Sequence, residues 1–228
     1  MAGGVPMAPV PDSFEDIFGT TTVGQYALVA QRHMHQYGTT SEQLAEIAVA
    51  ARKHAGFNPS AMYRDPITID DVINSRMIST PLHLLDCCVI SDGAGAVVVT
   101  APEVARNCRK KPVWVLSTQE AIEHTALGKH DFTLTCARRT GPLALQQAGV
   151  THDDIDMAMI YDSFTITVLC TLEDLGFCNK GEGGDFVSGG RLQLGGALPI
   201  NTDGGALSSN HPGMRGIFLL IEGTIQAR

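Results

Sequence analysis

The sequence has no run of about 20 consecutive apolar residues, the length a helix needs to cross a bilayer. Its most apolar stretches, Ala94–Val99 and Ile217–Ile221, are far shorter, so no membrane insertion is expected. It also has no stripe of Lys and Arg interleaved with aromatics, and 24 acidic against 16 basic residues give a formal net charge of -8. Such a balance disfavours a phosphate backbone, so no nucleic acid partner is expected. No basic segment followed by an apolar one opens the chain. Met1–Pro11 is a small Pro- and Gly-containing lead-in, and nothing in it argues for export. The six cysteines, Cys87, Cys88, Cys108, Cys136, Cys170 and Cys178, are scattered through apolar or helical surroundings. In a chain too long to need disulfide staples this implies reduced thiols and a cytoplasmic setting. Zinc needs Cys or His at short ligand spacings, whereas Cys87 and Cys88 are adjacent and His33 and His35 would point to different faces of a helix. No metal is expected.

What is present is enough for a folded core: 228 residues, 44% of them hydrophobic, can bury a substantial interior. Val23, Tyr26, Ala27, Ala30 and Met34 recur at helical spacing, and Thr39 with Glu42 makes a capping box for a second helix with a buried stripe of Leu44, Ile47, Ala48 and Ala51. Gly56 and Pro59 end it, and a short helix follows, capped by Thr68 with Asp71 at its third position. This first stretch predicts helices and no strand.

After Asp86 the character changes. Cys87–Ile90 and Gly95–Thr100 are short, apolar and separated by Ser91-Asp92-Gly93, which predicts strand, turn and strand. Val113–Ser117 and Met157–Ile160 are further strands. Thr135–Ala148 reads as a helix broken at Gly141-Pro142. Phe164–Leu175 reads as a helix with Phe164, Val168, Leu172 and Leu175 inward and Gly176 as its stop. The last element, Pro212–Ala227, presents Ile217, Phe218, Ile221 and Ile225 on one face, with Pro in the first helical turn. Apolar strands alternating with helices predict an α/β fold, its parallel or mixed sheet covered by helices.

Two constellations carry chemistry. His211 precedes the final helix, where free backbone N–H groups and the helix dipole oppose protonation of the imidazole. A neutral His there suits proton abstraction or donation to an oxyanion; the plainer alternative is a helix cap. The glycines Gly204, Gly205, Gly213 and Gly216 around it let backbone and ligand come close, which favours a function. The second constellation, Ile160-Tyr161-Asp162-Ser163-Phe164, stands where an apolar strand runs into a helix, an edge at which ligands commonly bind. Tyr161 can polarise a carbonyl as a hydrogen-bond donor, or be a core aromatic whose hydroxyl finds a partner. Asp162 or Ser163 reads as a helix N-cap.

The segment Asn201–Gly213, NTDGGALSSNHPG, resembles the glycine-rich His-Pro-Gly loop of thiolases. Asn201-Thr202-Asp203-Gly204-Gly205 matches their Asn-x-x-Gly-Gly, and His211-Pro212 follows, with Asn210 where the family usually has Gly. YDSFTITVLCTLEDLGFC with KGEGG after it resembles the sterol-carrier-protein-type thiolases and their lipid-transfer-protein-like relatives, many of which have His-Asp-Cys-Phe where this chain has Tyr161-Asp162-Ser163-Phe164. Ile90–Val97 resembles the segment that closes the first half of thiolases, and ALVAQRHMHQYGTTSEQLAEIAV resembles their loop domain.

That resemblance implies an incomplete thiolase-like fold: a loop-domain-like helical region over 1–80, the end of the first thiolase half over 81–112, and the second half over 113–228 without its last strands. It implies C–C bond cleavage or formation beside a coenzyme A thioester, the acyl-CoA or lipid being substrate and no cofactor tightly bound. His211 and Tyr161 are then the catalytic residues, with Asn201, Gly204, Gly205, Pro212 and Gly213 supporting the substrate loop. A homodimer is expected. The cysteine nucleophile of thiolases has no counterpart, and Cys87, Cys88 and Cys178 match non-catalytic positions. Some lipid-transfer-protein-like relatives are aldol lyases that shorten steroid side chains as CoA esters, pair with a small OB-fold partner and carry tyrosine at the place of Tyr161. The alternatives are therefore such an aldol lyase on 3-hydroxyacyl-CoA, or a non-catalytic acyl-CoA or lipid-binding subunit or truncated fragment.

Overall fold

The computed structural model of the protein describes residues 21–123, 131–213 and 215–228; the Met1–Pro11 lead-in lies outside them. Helix α1 spans Thr22–Tyr37 and α2 spans Ser41–Ala55. The capping box of α2 is one residue later than the sequence predicts: Thr40 accepts from the Gln43 amide, and the Gln43 side chain accepts from the Thr40 N–H. A Gln at the third position serves as well as a Glu. The predicted stripe is buried, with Leu44, Ile47, Ala48 and Ala51 all at 4% exposure or less. Helix α3, Ile69–Ile73, has the expected Thr68–Asp71 box.

A hairpin follows where no strand is predicted: β1, Met77–Ser79, pairs antiparallel with β2, Leu82–His83. Two strands this short lack the alternation that would reveal them. Helix α4 covers Pro102–Arg106 and α5 covers Ala137–Ala148. The predicted break at Gly141-Pro142 does not occur: α5 runs through both residues, and the carbonyl left without a donor by Pro142 belongs to Arg138, an exposed residue. Gly141 is needed instead for contact: a Cβ there would lie 2.9 Å from Leu175 Cδ2. That leucine ends α6, Thr165–Leu175, which Gly176 terminates in the left-handed conformation. Helix α7 is Gly183–Val187 and α8 is Gly216–Gln226. The final helix thus starts four residues later than the sequence predicts, and Pro212 lies outside it.

The core is helical. Ile166, Val168, Leu169 and Leu172 of α6 are fully buried, packed with α1, α2 and the loops before and after the hairpin. A second tie is polar: His33 of α1 is fully buried and hydrogen-bonds Glu173 of α6 at 3.0 Å, and Lys180 forms ion pairs with both Glu173 and Asp174.

The predicted strands have no ladder among the described residues. Cys87 and Phe164 form an isolated antiparallel bridge, and Ala158 and Ile200 an isolated parallel one. Gly95–Thr100 and Val113–Ser117 carry no strand pairing, with Val98 88% and Val115 72% exposed. A helix satisfies its own backbone, whereas a strand is completed only by a neighbour. No described helix is long and apolar enough to cross a membrane.

Candidate active site

The site forms where the segment entering α6 meets the glycine-rich loop. Ile160, Asp162, Ser163 and Phe164 are buried, and their direction is fixed by one side chain. Asn201 donates from Nδ2 to the Ile160 carbonyl and accepts at Oδ1 from the Ile160 N–H, both at 2.8 Å. Its own backbone sits at φ 49°, the left-handed region, which Asn tolerates better than most residues. The amide takes the place of a strand neighbour and holds Tyr161 at the end of the segment.

After Asn201 the loop turns tightly through Gly204, at φ 102°, where a Cβ would lie 2.8 Å from Ala55 Cα of α2. Gly205, at φ 65°, opens one π-helical turn, Gly205–Ser209. A Cβ on Gly205 would run into the Asp162 carboxylate. Asp162 is therefore no N-cap for α6. Its carboxylate accepts from the Ala206 amide at 2.7 Å and the Leu207 amide at 3.2 Å, capping the π turn. Phe164 occupies the N-cap position of α6 without a side-chain bond, and Ser163 meets Thr167 instead.

The turn delivers His211. Its Nε2 lies 2.6 Å from the Tyr161 hydroxyl, with the rings stacked 5.6 Å apart between centroids, and its backbone N–H donates to Ser91 Oγ at 3.0 Å. The two candidate residues, 50 positions apart in the chain, are thus in contact. Burial pushes the His211 imidazole below its ordinary value, and the Arg215 charge adds to that. Since α8 begins only at Gly216, the opposing charge is a guanidinium rather than the helix terminus. Burial pushes the Tyr161 phenol up to about 12, with Cys88 and Asp162 adding to it. At neutral pH the pair is a phenol against a neutral imidazole, able to share or pass one proton. Pro212 and Gly213, at φ 83°, carry the chain from His211 towards α8. Gly213 is exposed, and a Cβ there would meet nothing.

The sequence reading missed Arg215 and Asp203. Arg215 is fully buried and donates to both carboxylate oxygens of Asp203, and to the Asn210 carbonyl at 2.8 Å. A lone Arg at the start of an apolar helix was the available signal. The thiols beside the site are poor nucleophiles: burial pushes Cys88 up to about 11 and Cys87 up to about 12. Among the described residues no group of three or more His, Cys, Asp or Glu could hold a metal.

The thiolase C-terminal domain-like family matches residues 119–228. A steroid side-chain-cleaving aldolase of Thermomonospora curvata is 42% identical over 219 residues, covering 91% of this chain and 56% of that protein. The 17-hydroxy-3-oxo-4-pregnene-20-carboxyl-CoA lyase of Mycobacterium tuberculosis is 42% identical over 228 residues, 96% of this chain and 58% of that protein. A solved Ltp2-ChsH2(DUF35) aldolase superposes with a TM-score of 0.87 at 37% identity, over 96% of this chain and 60% of that one. The chain therefore spans a little over half the length of these three relatives. The thiolase-like α/β fold expected from the sequence is supported by these matches, while the sheet that would complete it is not assembled among the described residues.

Proposed function

The chain belongs to the thiolase superfamily as a relative of the sterol-carrier-protein type, and from that membership we propose that it carries the acid–base pair of an aldol lyase acting on 3-hydroxyacyl-CoA. The single observation that carries this reading is the 2.6 Å contact between Tyr161 and His211, a proton path that needs no cysteine. In the cleavage direction the substrate's β-hydroxyl gives its proton to Tyr161 as Tyr161 passes its own to His211 Nε2. The oxygen's electrons form the new carbonyl, and the Cα–Cβ pair moves onto the thioester as an enolate. The proton then returns to Cα, leaving a ketone or aldehyde and a shortened acyl-CoA with every proton accounted for. A neutral His211 is the required acceptor, and its depressed proton affinity supports that role. Asn201, Gly204, Gly205, Pro212 and Gly213 shape the loop that presents it. A homodimer, a small OB-fold partner and a cytoplasmic setting belong to this proposal, as does division of the chain at residues 80 and 112.

Turnover assays on the full-length gene product, with its partner where one exists, test the reading. Release of a shortened acyl-CoA from a 3-hydroxyacyl-CoA without added coenzyme A supports the lyase. Release from a 3-oxoacyl-CoA only when coenzyme A is added would instead indicate thiolysis. Tyr161→Phe and His211→Ala are each expected to lower kcat by about 100-fold or more; normal turnover by His211→Ala overturns the assignment. Binding of CoA esters with no turnover by any form would indicate a non-catalytic subunit.

A further inference from the structure

We infer that Arg215 is a positioning residue for the Tyr161–His211 pair: its guanidinium ties the residue before His211 to the Asp203 loop and sets a fixed positive charge beside the imidazole. The inference rests on the acid–base role proposed above and deepens it.

A guanidinium with no exposed surface is costly to bury, and a residue kept only for packing would be an apolar one. Arg215 instead divides its donors between two segments. One terminal nitrogen donates to the Asn210 carbonyl at 2.8 Å and to the Asn210 side-chain oxygen at 2.9 Å, while the other donates to Asp203 at 2.7 Å. Asn210 is the residue immediately before His211, and Asp203 stands before the glycines that open the π turn. The distance between those points fixes how far the imidazole reaches towards Tyr161. The remaining nitrogen, Nε, is buried without a hydrogen-bond partner and faces Asp162 Oδ1 at 3.7 Å. Asp162 follows Tyr161 directly and holds the π turn through two amides. One cation therefore links the Tyr161 segment, the turn and the His211 segment.

The groups around the imidazole explain why the charge is felt. Tyr161 touches it, with Cys88 and Asp162 beyond the phenol, and Arg215 stands with Asp203 as its partner. Of these Arg215 alone is a cation, and it acts in the same direction as burial on the imidazole.

Three variants of the full-length protein separate position from charge, with His211 followed directly by NMR titration of histidine-labelled protein. Arg215→Lys keeps the charge but cannot bridge both segments; it is expected to lower kcat about tenfold with KM little changed and to leave the His211 titration near its wild-type midpoint. Arg215→Gln removes the charge and is expected to raise that midpoint by about one pH unit, with the acidic limb of kcat/KM moving up alongside it. Asp203→Asn leaves the guanidinium less neutralised and is expected to move the midpoint down. It tests the charge even if Arg215→Gln fails to fold. A wild-type kcat in Arg215→Lys overturns the positioning role, and an unmoved His211 midpoint in a folded Arg215→Gln or Asp203→Asn overturns the charge role. Because the titration is read without substrate, shifted midpoints in a protein inactive on 3-hydroxyacyl-CoA would sink the lyase reading while leaving the charge role of Arg215 standing.

Discussion

The loop from Asn201 to Asn210 and the stretch from Gly95 to Ser117 are both short on regular structure, yet they behave in opposite ways. In the first, Asn201 through Ser209 are buried, with amides and carboxylates paired across to residues far away in sequence. In the second, Val98, Val99, Val115 and Leu116 stand exposed beside unpaired backbone. The loop is glycine-rich and polar, the exposed stretch apolar and β-prone, so composition alone would have ranked them the other way. What separates them is where the partner groups come from. The groups the loop needs come from many places, from Arg52 of α2, Asn58, Met62 and Tyr63, Val89, the Ala158–Asp162 segment, Arg215 and Glu222 of α8, whereas a β-prone segment is completed only by another strand.

Breaking the better-connected region should cost most. Leu172 lies fully buried in α6 beneath the site, and Leu172→Ala is expected to lower unfolding free energy by about 3–4 kcal/mol, measured by denaturant titration; a loss below about 1 kcal/mol would mean that the helix is not core. Gly205→Ala comes next. It forces a Cβ into the Asp162 carboxylate at a left-handed φ, with an expected cost of about 3 kcal/mol in the same titration.

A pH series sharpens the comparison further. His54 is fully buried, with Nδ1 2.9 Å from the Ile200 carbonyl, while Nε2 accepts from the Leu194 amide at 3.0 Å. Protonation would set two N–H groups against each other, and burial already holds the imidazole below its ordinary value. Because the unfolded chain then binds the proton more readily, stability is present above the unfolded value and is lost as pH falls below about 6.5. Wild type is expected to lose about 1 kcal/mol more than His54→Gln between pH 7.5 and 5.5; equal slopes for the two proteins would remove His54 from the account. The smallest effect belongs to the exposed stretch, where Val98→Thr should change stability by less than about 0.5 kcal/mol. A loss above about 1 kcal/mol would show that Val98 is covered in solution and that the contrast between the regions has been drawn too sharply.

The same distinction governs what was legible in the sequence. Helix signals are local, so the Thr68–Asp71 box, the α2 stripe and the Gly176 stop could all be read directly, with Thr39 for Thr40 a slip of one residue. The pairing of Tyr161 with His211 came from motif resemblance, since nothing at either position announces a residue 50 places away. Arg215, Asp203 and the true role of Asp162 were not legible, because a buried ion cluster is defined by who meets whom and each member alone resembles a cap or a surface charge. The strand predictions fell on segments that form no ladder among the described residues, because a ladder requires a neighbour that no local pattern supplies.

Asn201 leaves one consequence. Beyond the Ala158–Ile200 bridge a side-chain amide, rather than further strand pairing, sets the alignment between the segment bearing the phenol and the loop bearing the imidazole. Alignment of a sheet is a collective property, spread over many bonds and slow to drift, whereas here two atoms of one residue carry it on from a single backbone bridge between Ala158 and Ile200. Exchanging Nδ2 for an oxygen, as Asn201→Asp would, turns an attraction to the Ile160 carbonyl into a repulsion. The spacing of the two proton-exchanging groups is thus open to revision by the smallest change the genetic code allows.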